Sequence, residues 1–269
     1  MKVWNVICLI SIVLFSLIVF PSHTLAVSKF DRLHSYKHYI DGVPIPNIET
    51  ENILGPAGEI FKFTSCNRGD LGFSLAYGII PAGAGPLPHV HHYTNEWFWT
   101  PEGGIQLLET TQQFPNLNFP PTREEAGNAV IYSLDAEANQ VFYGPKYHIH
   151  GFINKTEETH PLVFIWIRDE SSPEYPLNDG GIREYFQEVG IPIKDLNNLP
   201  PITDEAKLKF ITSAPKYGIN QSAFFTEYIK DLSEDTPVEL VKLFDEENLM
   251  RIIDAVNAYN QGDKSVSCF

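Results

Sequence analysis

The sequence predicts an all-β fold, an antiparallel sandwich or barrel, with an appended C-terminal α-helical subdomain. From about residue 53 to 168, short runs of β-branched and aromatic residues alternate with glycine, proline and asparagine, and no helical periodicity lies between them. Beyond residue 180 the apolar residues recur with the spacing of helices. The strand-like runs are residues 59–64, 73–80, 96–100, 105–109, 129–134, 140–143 and 162–167.

Two apolar stripes predict the helices of the C-terminal segment, because each places four apolar residues at i, i+3, i+4 and i+7. The stripes are Phe225, Tyr228, Ile229 and Leu232 in the first case, and Leu249, Ile252, Ile253 and Val256 in the second. Residues 236–239 have the pattern of a helix start, with threonine as N-cap, proline in the first turn and glutamate three positions later. The chain after residue 26 therefore divides into an N-terminal arm (27–53), a barrel (54–170) and a mostly helical extension (171–269).

Residues 1–26 have the pattern of a secretory signal peptide. Lys2 precedes an apolar run from Val6 to Phe20, and Thr24 and Ala26 occupy the −3 and −1 positions of the predicted cleavage site. Because the run is shorter than the roughly 20 residues that span a membrane, we expect cleavage after Ala26. An uncleaved N-terminal anchor is the alternative. The predicted mature protein is secreted or periplasmic, without further membrane association.

The composition is that of an ordinary globular protein, with 43% hydrophobic and 20% charged residues. The 34 acidic residues outnumber the 19 basic ones, for a net charge of −15 at pH 7, which argues against nucleic acid and anionic membranes as partners. Three cysteines are too few for a disulfide scaffold. Cys66 and Cys268 follow the predicted signal, and an oxidising compartment permits a bond between them, but the sequence does not establish one.

Histidines concentrate the candidate chemistry in one region. His89 and His91 are two residues apart, so on a strand both imidazoles point to one face. Glu96 follows on the next strand-like run, and His150 lies in a later one. Three imidazoles and one carboxylate suit a single divalent transition metal, with Fe, Cu, Ni, Mn and Zn as the candidates.

The spacing of these residues resembles two motifs of the cupin superfamily. Gly83, His89, His91, Glu96 and Gly103 stand at the signature positions of the first motif, and Pro145, His150 and Asn154 at positions of the second. The second motif departs from the family at two positions, where Tyr147 and Asn139 replace glycines. Because those glycines serve turn geometry rather than metal binding, the departures concern the local backbone.

The resemblance implies a single jelly-roll β-barrel over about residues 54–170, with a metal bound inside by His89, His91, Glu96 and His150. Single cupins often pair through strand edges, so the resemblance also implies a homodimer. Residues 83–92 and 214–219 resemble, more weakly, exported or bacterial cupins described as quercetinase-like dioxygenases.

The leading functional hypothesis is a metal-dependent dioxygenase that acts on an aromatic, flavonol-like or enol-bearing small molecule with O₂. In this hypothesis Glu96 is also the catalytic base. Six residues near the motifs are candidates for the substrate pocket: His92, Tyr93, Trp97, Phe142, Tyr147 and His148. For the aromatic residues the alternative is a place in the barrel core, and for the two histidines a supporting role beside the ligands. An oxygen-independent lyase, cyclase or isomerase and a non-catalytic secreted binding or storage protein are the other hypotheses.

Overall fold

A computed structural model describes residues 38–169, 179–227, 229–231 and 244–269. The predicted signal peptide (1–26) and the predicted helix start at 236–239 lie outside these residues. Within the described residues, no helix has the length and apolar character needed to cross a membrane.

Fifteen strands in the described part of the chain form two sheets, and every pairing is antiparallel except that of β14 with β8. The first sheet has the order β1 (His38–Tyr39), β9 (Gln140–Gly144), β6 (Thr94–Thr100), β11 (His160–Arg168), β4 (Leu71–Ile80), β3 (Ile60–Arg68), β2 (Asn52–Leu54) and β12 (Ile191–Ile193), with β15 (Val266–Cys268) also paired to β3. The second sheet has the order β13 (Ile219–Gln221), β5 (His89–His91), β10 (His148–Ile153), β7 (Gln106–Gln113), β8 (Ile131–Asp135) and β14 (Ile229–Asp231). This arrangement agrees with the predicted β-rich fold.

The inner faces of the two sheets pack together through aromatic side chains. The ring of Phe152 on β10 lies 5.2 Å from that of Phe164 on β11 and 6.2 Å from that of Phe98 on β6. Successive residues of a strand point to opposite faces, so Phe98 shares the inner face of β6 with Glu96. The core between the sheets therefore continues directly to the position of the predicted metal ligands.

Four α-helices accompany the sheets in the described residues: α1 (Arg123–Asn128), α2 (Ile182–Val189), α3 (Asp204–Ser213) and α4 (Glu246–Asn260). Helix α4 confirms the second predicted stripe, because all four of its apolar residues are buried. They join a cluster with Val163 and Ile165, on the face of β11 opposite to Phe164. Strand β11 is thus buried on both faces, which explains its continuous apolar sequence.

The separate C-terminal helical subdomain is not confirmed. Four strands, β12 to β15, alternate with the helices of this segment and pair with β2, β5, β8 and β3 of the two sheets. The first predicted stripe is wrong where it can be compared, because Ile229 lies in β14, and Phe225 is buried in a 3₁₀ turn over Ala223–Glu227. The free edge of β8 offers backbone hydrogen bonds to residues 229–231, and this pairing overrides the local helical pattern.

A disulfide joins Cys66 of β3 to Cys268 of β15, at directly opposed positions of the two strands. The bond closes a segment with a sequence separation of 202 residues. The prediction from sequence left this pairing open, because the contact depends on the position of β15, which local sequence does not determine.

Removal of this disulfide should destabilise the fold. We expect Cys268→Ser to lower the free energy of unfolding by about 3 kcal/mol, because the unfolded chain loses a long-range constraint. The measurement is a denaturant titration without reductant, with Ser267→Ala, at an exposed neighbouring position, as the control. An unchanged unfolding midpoint for Cys268→Ser would show that the bond does not contribute.

Candidate metal centre

Three strands bring the four predicted ligands together. His89 and His91 lie on β5, Glu96 on β6 and His150 on β10. Strands β5 and β10 are paired so that His150 is directly opposite His89, and the short turn between β5 and β6 turns Glu96 back towards them. One ligand atom from each of the four side chains lies within 4.8 Å of all the others. This group could hold a metal ion.

The Glu96 carboxylate contacts two of the three imidazoles. Its Oε2 atom lies 3.0 Å from His150 Nε2 and 3.2 Å from His91 Nε2. The rings of His91 and His150 are nearly parallel, with centroids 5.2 Å apart, and the His89 ring stands edge-on to both. All three histidines therefore surround one point beside the carboxylate.

A backbone carbonyl determines which nitrogen of His89 faces the centre. The Leu87 carbonyl lies 3.0 Å from His89 Nδ1. A carbonyl only accepts hydrogen bonds, so Nδ1 carries the proton and donates it, and Nε2 keeps its lone pair. Hydrogen bonds of this kind orient metal-binding histidines and increase their basicity.

Burial and hydrogen bonding give His89, His91 and Glu96 the protonation states that metal ligands require. Burial, with the neighbouring His150 and His91, lowers the pKa of His89 to about 3, and burial lowers the pKa of His91. Burial alone would raise the pKa of Glu96, but its hydrogen bonds to His150 and His91 outweigh that effect and hold it at about 2. At neutral pH, His89 and His91 are therefore neutral and Glu96 is ionised, as a divalent cation requires.

The donor set fits a first-row transition metal. Imidazole nitrogen is a good ligand for Fe, Cu, Ni and Zn, and a carboxylate oxygen adds negative charge that stabilises a cation. His91, Glu96 and His150 are each at most 3% exposed, so water does not compete freely for them. These four residues thus suit the divalent metal ion that the cupin resemblance implies.

The two residues that replace glycines of the second motif adopt the backbone conformation typical of glycine. Tyr147 and Asn139 have φ of 70° and 62°, and they alone among described non-glycine residues have positive φ. Tyr147 is held there by backbone hydrogen bonds to His91 and Phe114 and by the Lys146 ammonium, 4.6 Å from the centre of its ring. The departures from the motif therefore leave the local backbone intact.

An apolar cavity lies beside His150, between β7, β8 and β9. Its lining includes Phe98, Leu107, Tyr132, Leu134 and Phe142. The cavity holds about 30 Å³, which is room for about two water molecules. It gives the metal centre a neighbouring space with mostly apolar walls.

The structure places one of the six predicted pocket residues, Phe142, in the lining of this cavity. Trp97 points to the opposite face of β6 from Glu96 and packs against Tyr143 and the cluster under α4. Tyr93 packs its ring over Gly218, where a Cβ atom would lie 2.3 Å from the ring. These two aromatic rings therefore do not line the cavity.

His92, Tyr147 and His148 lie close to the ligands, outside the cavity lining. The His92 ring contacts the Tyr147 ring, with centroids 5.7 Å apart, and its Nε2 accepts a hydrogen bond from Asn220 Nδ2 at 3.1 Å. Asn220 Nδ2 also lies within hydrogen-bond distance of the carbonyls of residues 116 and 117. His148 donates from Nδ1 to the Thr110 carbonyl, and burial lowers its pKa. These contacts give both histidines a supporting position beside the ligand strands.

Two residues of the site were not predicted from sequence. Gly144 of β9 lies against His150, and a Cβ atom at this position would come within 2.8 Å of the imidazole ring. Glu109 of β7 lines the cavity, and burial raises its pKa well above the ordinary value. Leu107 and Glu109 are two residues apart on β7, and this spacing was the available signal, because it places the acidic residue on the same face as a core leucine.

Comparison with solved structures finds cupins among the similar folds. The chain is similar to the Cnp3 cupin domain of Schizosaccharomyces pombe, with 17% identity over 42% of this chain and 65% of that one, at a TM-score of 0.29. It is also similar to an RmlC-like cupin from Shewanella frigidimarina (14% identity, 46% and 93% covered, TM-score 0.29) and to a mutant oxalate decarboxylase from Bacillus subtilis (13%, 49% and 31%, TM-score 0.32).

The chain spans less than two thirds of the length of the Cnp3 and oxalate decarboxylase structures. No protein-family model and no curated protein matches the sequence. The strand pairing and the geometry of the four ligands therefore carry the functional interpretation.

Substitution of Gly144 should disturb the metal centre through His150. We expect Gly144→Ala to displace the imidazole and to weaken metal binding by about 10- to 100-fold. The matched control is Gly151→Ala, because a Cβ atom at Gly151 meets its nearest neighbour at an ordinary 3.6 Å. Competition against a chromophoric chelator measures both affinities. Equal affinities for the two variants would contradict the close approach of Gly144 to His150.

The positive φ of Tyr147 should reverse the usual preference for alanine over glycine. We expect Tyr147→Gly to be more stable than Tyr147→Ala by about 1 kcal/mol, because a Cβ atom is strained at this φ. Tyr143, within β9, is the control position, where alanine should be the more stable replacement. Denaturant titration of the four variants gives the comparison. The same order at both positions would contradict the left-handed conformation of Tyr147.

Proposed function

We propose that this protein is an exported, metal-dependent dioxygenase that acts on a small aromatic or enol-bearing molecule. The buried group of three histidines and one carboxylate, beside an apolar cavity, carries the proposal. The cavity has room for about two water molecules, so an organic substrate of either kind enters only if lining side chains such as Phe142 and Tyr132 move. The disulfide between Cys66 and Cys268 supports export, since such bonds are rare in reducing compartments.

A bound first-row metal would supply Lewis acidity to a substrate oxygen and, where it is redox-active, electron transfer to O₂. His89, His91 and His150 are the residues that would hold it, with Glu96 as the fourth ligand. The Leu87 carbonyl keeps His89 in the tautomer that this role needs. The chain's own contribution is thus a set of three imidazole donors that strands β5 and β10 hold around one point.

Glu96 has a second role in this proposal, as the group that takes the proton of a substrate hydroxyl. With a pKa of about 2 it is a weak base while it contacts His91 and His150. Release from these two contacts raises its basicity, so proton transfer follows a movement of the carboxylate away from the histidines. The apolar walls formed by Phe98, Leu107 and Phe142 limit the access of water during this step.

Elemental analysis of protein purified without chelators or affinity metals tests the proposal. We expect about one Fe, Cu, Ni or Mn ion per chain and loss of the metal in His91→Ala, because that substitution removes a ligand. His160→Ala, a histidine outside the ligand group that contacts Thr156, is the control and should keep the metal. Oxygen uptake with an enol-bearing substrate is the second measurement.

Metal content and oxygen dependence together distinguish the three functional hypotheses. Metal binding with equal turnover under anaerobic conditions would replace the dioxygenase by a lyase, cyclase or isomerase on the same residues. A protein that contains no metal and takes up none would leave a non-catalytic binding or storage protein as the better account.

A further inference from the structure

A buried lysine lies in the turn between β9 and β10. The Lys146 side chain is 7% exposed, and its ammonium group donates a hydrogen bond to Asp169 Oδ1 at 2.9 Å. Lysine is almost never buried unless it is paired, because the removal of its charge from water is costly. A buried ion pair often stabilises a fold no more than apolar side chains of the same size would, so stability alone does not explain this lysine.

Asn95 closes the ion pair into a ring of three residues. Its side-chain carbonyl accepts a hydrogen bond from the Lys146 backbone N–H at 2.9 Å, and its amide donates to Asp169 Oδ2 at 3.3 Å. Asp169 also donates its backbone N–H to the carbonyl of Tyr93, in the turn between β5 and β6. The ring therefore joins the β9–β10 turn to the start of β6 and to the residue that follows β11.

This ring is attached to the backbone of two metal ligands. Asn95 directly precedes Glu96 on β6. The residue after Lys146 makes the second attachment, because the backbone N–H of Tyr147 donates to the His91 carbonyl at 2.8 Å. The Lys146 ammonium also lies 4.6 Å from the centre of the Tyr147 ring. A displacement of the β9–β10 turn is therefore transmitted to the backbone of both His91 and Glu96.

We propose that Lys146 is a positioning residue of the metal centre, whose ion pair with Asp169 holds the β9–β10 turn so that His91 and Glu96 keep the separation that one metal ion requires. In this arrangement His91 Nε2 and Glu96 Oε2 are 3.2 Å apart. Metal ligands need positions fixed to about 0.5 Å, and the contacts around them supply that accuracy. The inference rests on the proposed function, because it needs the metal that this function uses.

Binding of Co²⁺ to the full chain tests this role, because the visible absorption of Co²⁺ reports the geometry of its ligands. Competition against a chromophoric chelator gives the affinity. We expect Lys146→Met, which removes the charge and keeps an unbranched side chain, to weaken Co²⁺ binding about tenfold and to alter the absorption spectrum. Asp169→Asn is the milder change and should act in the same direction. The double variant should lose no more affinity than the more affected single variant, because both substitutions break the same contact.

Lys216 offers a matched control. It also precedes a tyrosine, its ammonium lies 4.9 Å from the centre of the Tyr217 ring, and it forms an ion pair with Glu188. These contacts join α2 to the 3₁₀ turn before β13, away from the four ligands. Lys216→Met should therefore leave the affinity and the spectrum of Co²⁺ unchanged. Cys268→Ser is the control for stability, because it should unfold more easily and still give the wild-type spectrum.

Three results would overturn the inference: the wild-type spectrum in both Lys146→Met and Asp169→Asn, additive losses of affinity in the double variant, or a wild type that binds no Co²⁺. If Lys146→Met does not fold, Asp169→Asn decides between these outcomes. Failure of the proposed function is a different result. A Co²⁺ spectrum that depends on Lys146, together with no oxygen uptake by the protein loaded with a redox-active metal, would refute the dioxygenase and leave the role of Lys146 in place.

Discussion

The antiparallel pairing of β10 with its two neighbours is the constraint on which the metal centre depends. On one edge, β5 places His89 opposite His150, and on the other edge β7 places Glu109 opposite the same residue. Because side chains alternate between the two faces of a strand, a shift of one residue would turn His150 out of the interior. The positions of the three histidines thus rest on backbone hydrogen bonds of the second sheet. These bonds join β10 to its neighbours β5 and β7.

The first sheet supports the centre in a different way. Strand β6 carries Glu96 and is paired with β11, which is buried on both faces. Aromatic side chains cover the inner face of β11, and helix α4 covers its outer face. A carboxylate attached to this layer has a rigid support, which matters because precise ligand positions need a well-packed second layer of residues.

The sequence predicted those site residues that lie close together along the chain or within a recognisable motif. His89, His91 and Glu96 lie within eight consecutive positions, so strand alternation and one tight turn bring them together. His150 came from the second motif. Gly144 and Glu109 were not predicted as site residues because their importance arises from a neighbour on another strand, and a single strand's pattern does not contain that relation.

The fold shows the same division between local and long-range information. Helix α4 was predictable because its stripe is long and one face is buried along most of its length. The strands β12 to β15 are three residues each, too short for a reliable pattern, and their pairing partners decide their conformation. The replaced glycines are an intermediate case. Sequence located both turns, and only the structure shows that Tyr147 and Asn139 adopt the backbone that glycine would have.

The hydrogen bonds of Asn220 have a consequence for covalent modification. Asn220, Gln221 and Ser222 form an acceptor triplet for N-linked glycans, yet the Asn220 side chain is 2% exposed and its amide contacts His92 and the carbonyls of residues 116 and 117. A sugar on this nitrogen would occupy the space of those contacts. Glycosylation at Asn220 and the folded arrangement around His92 are therefore mutually exclusive, and a glycan found there would mark chains that had failed to close this part of the site.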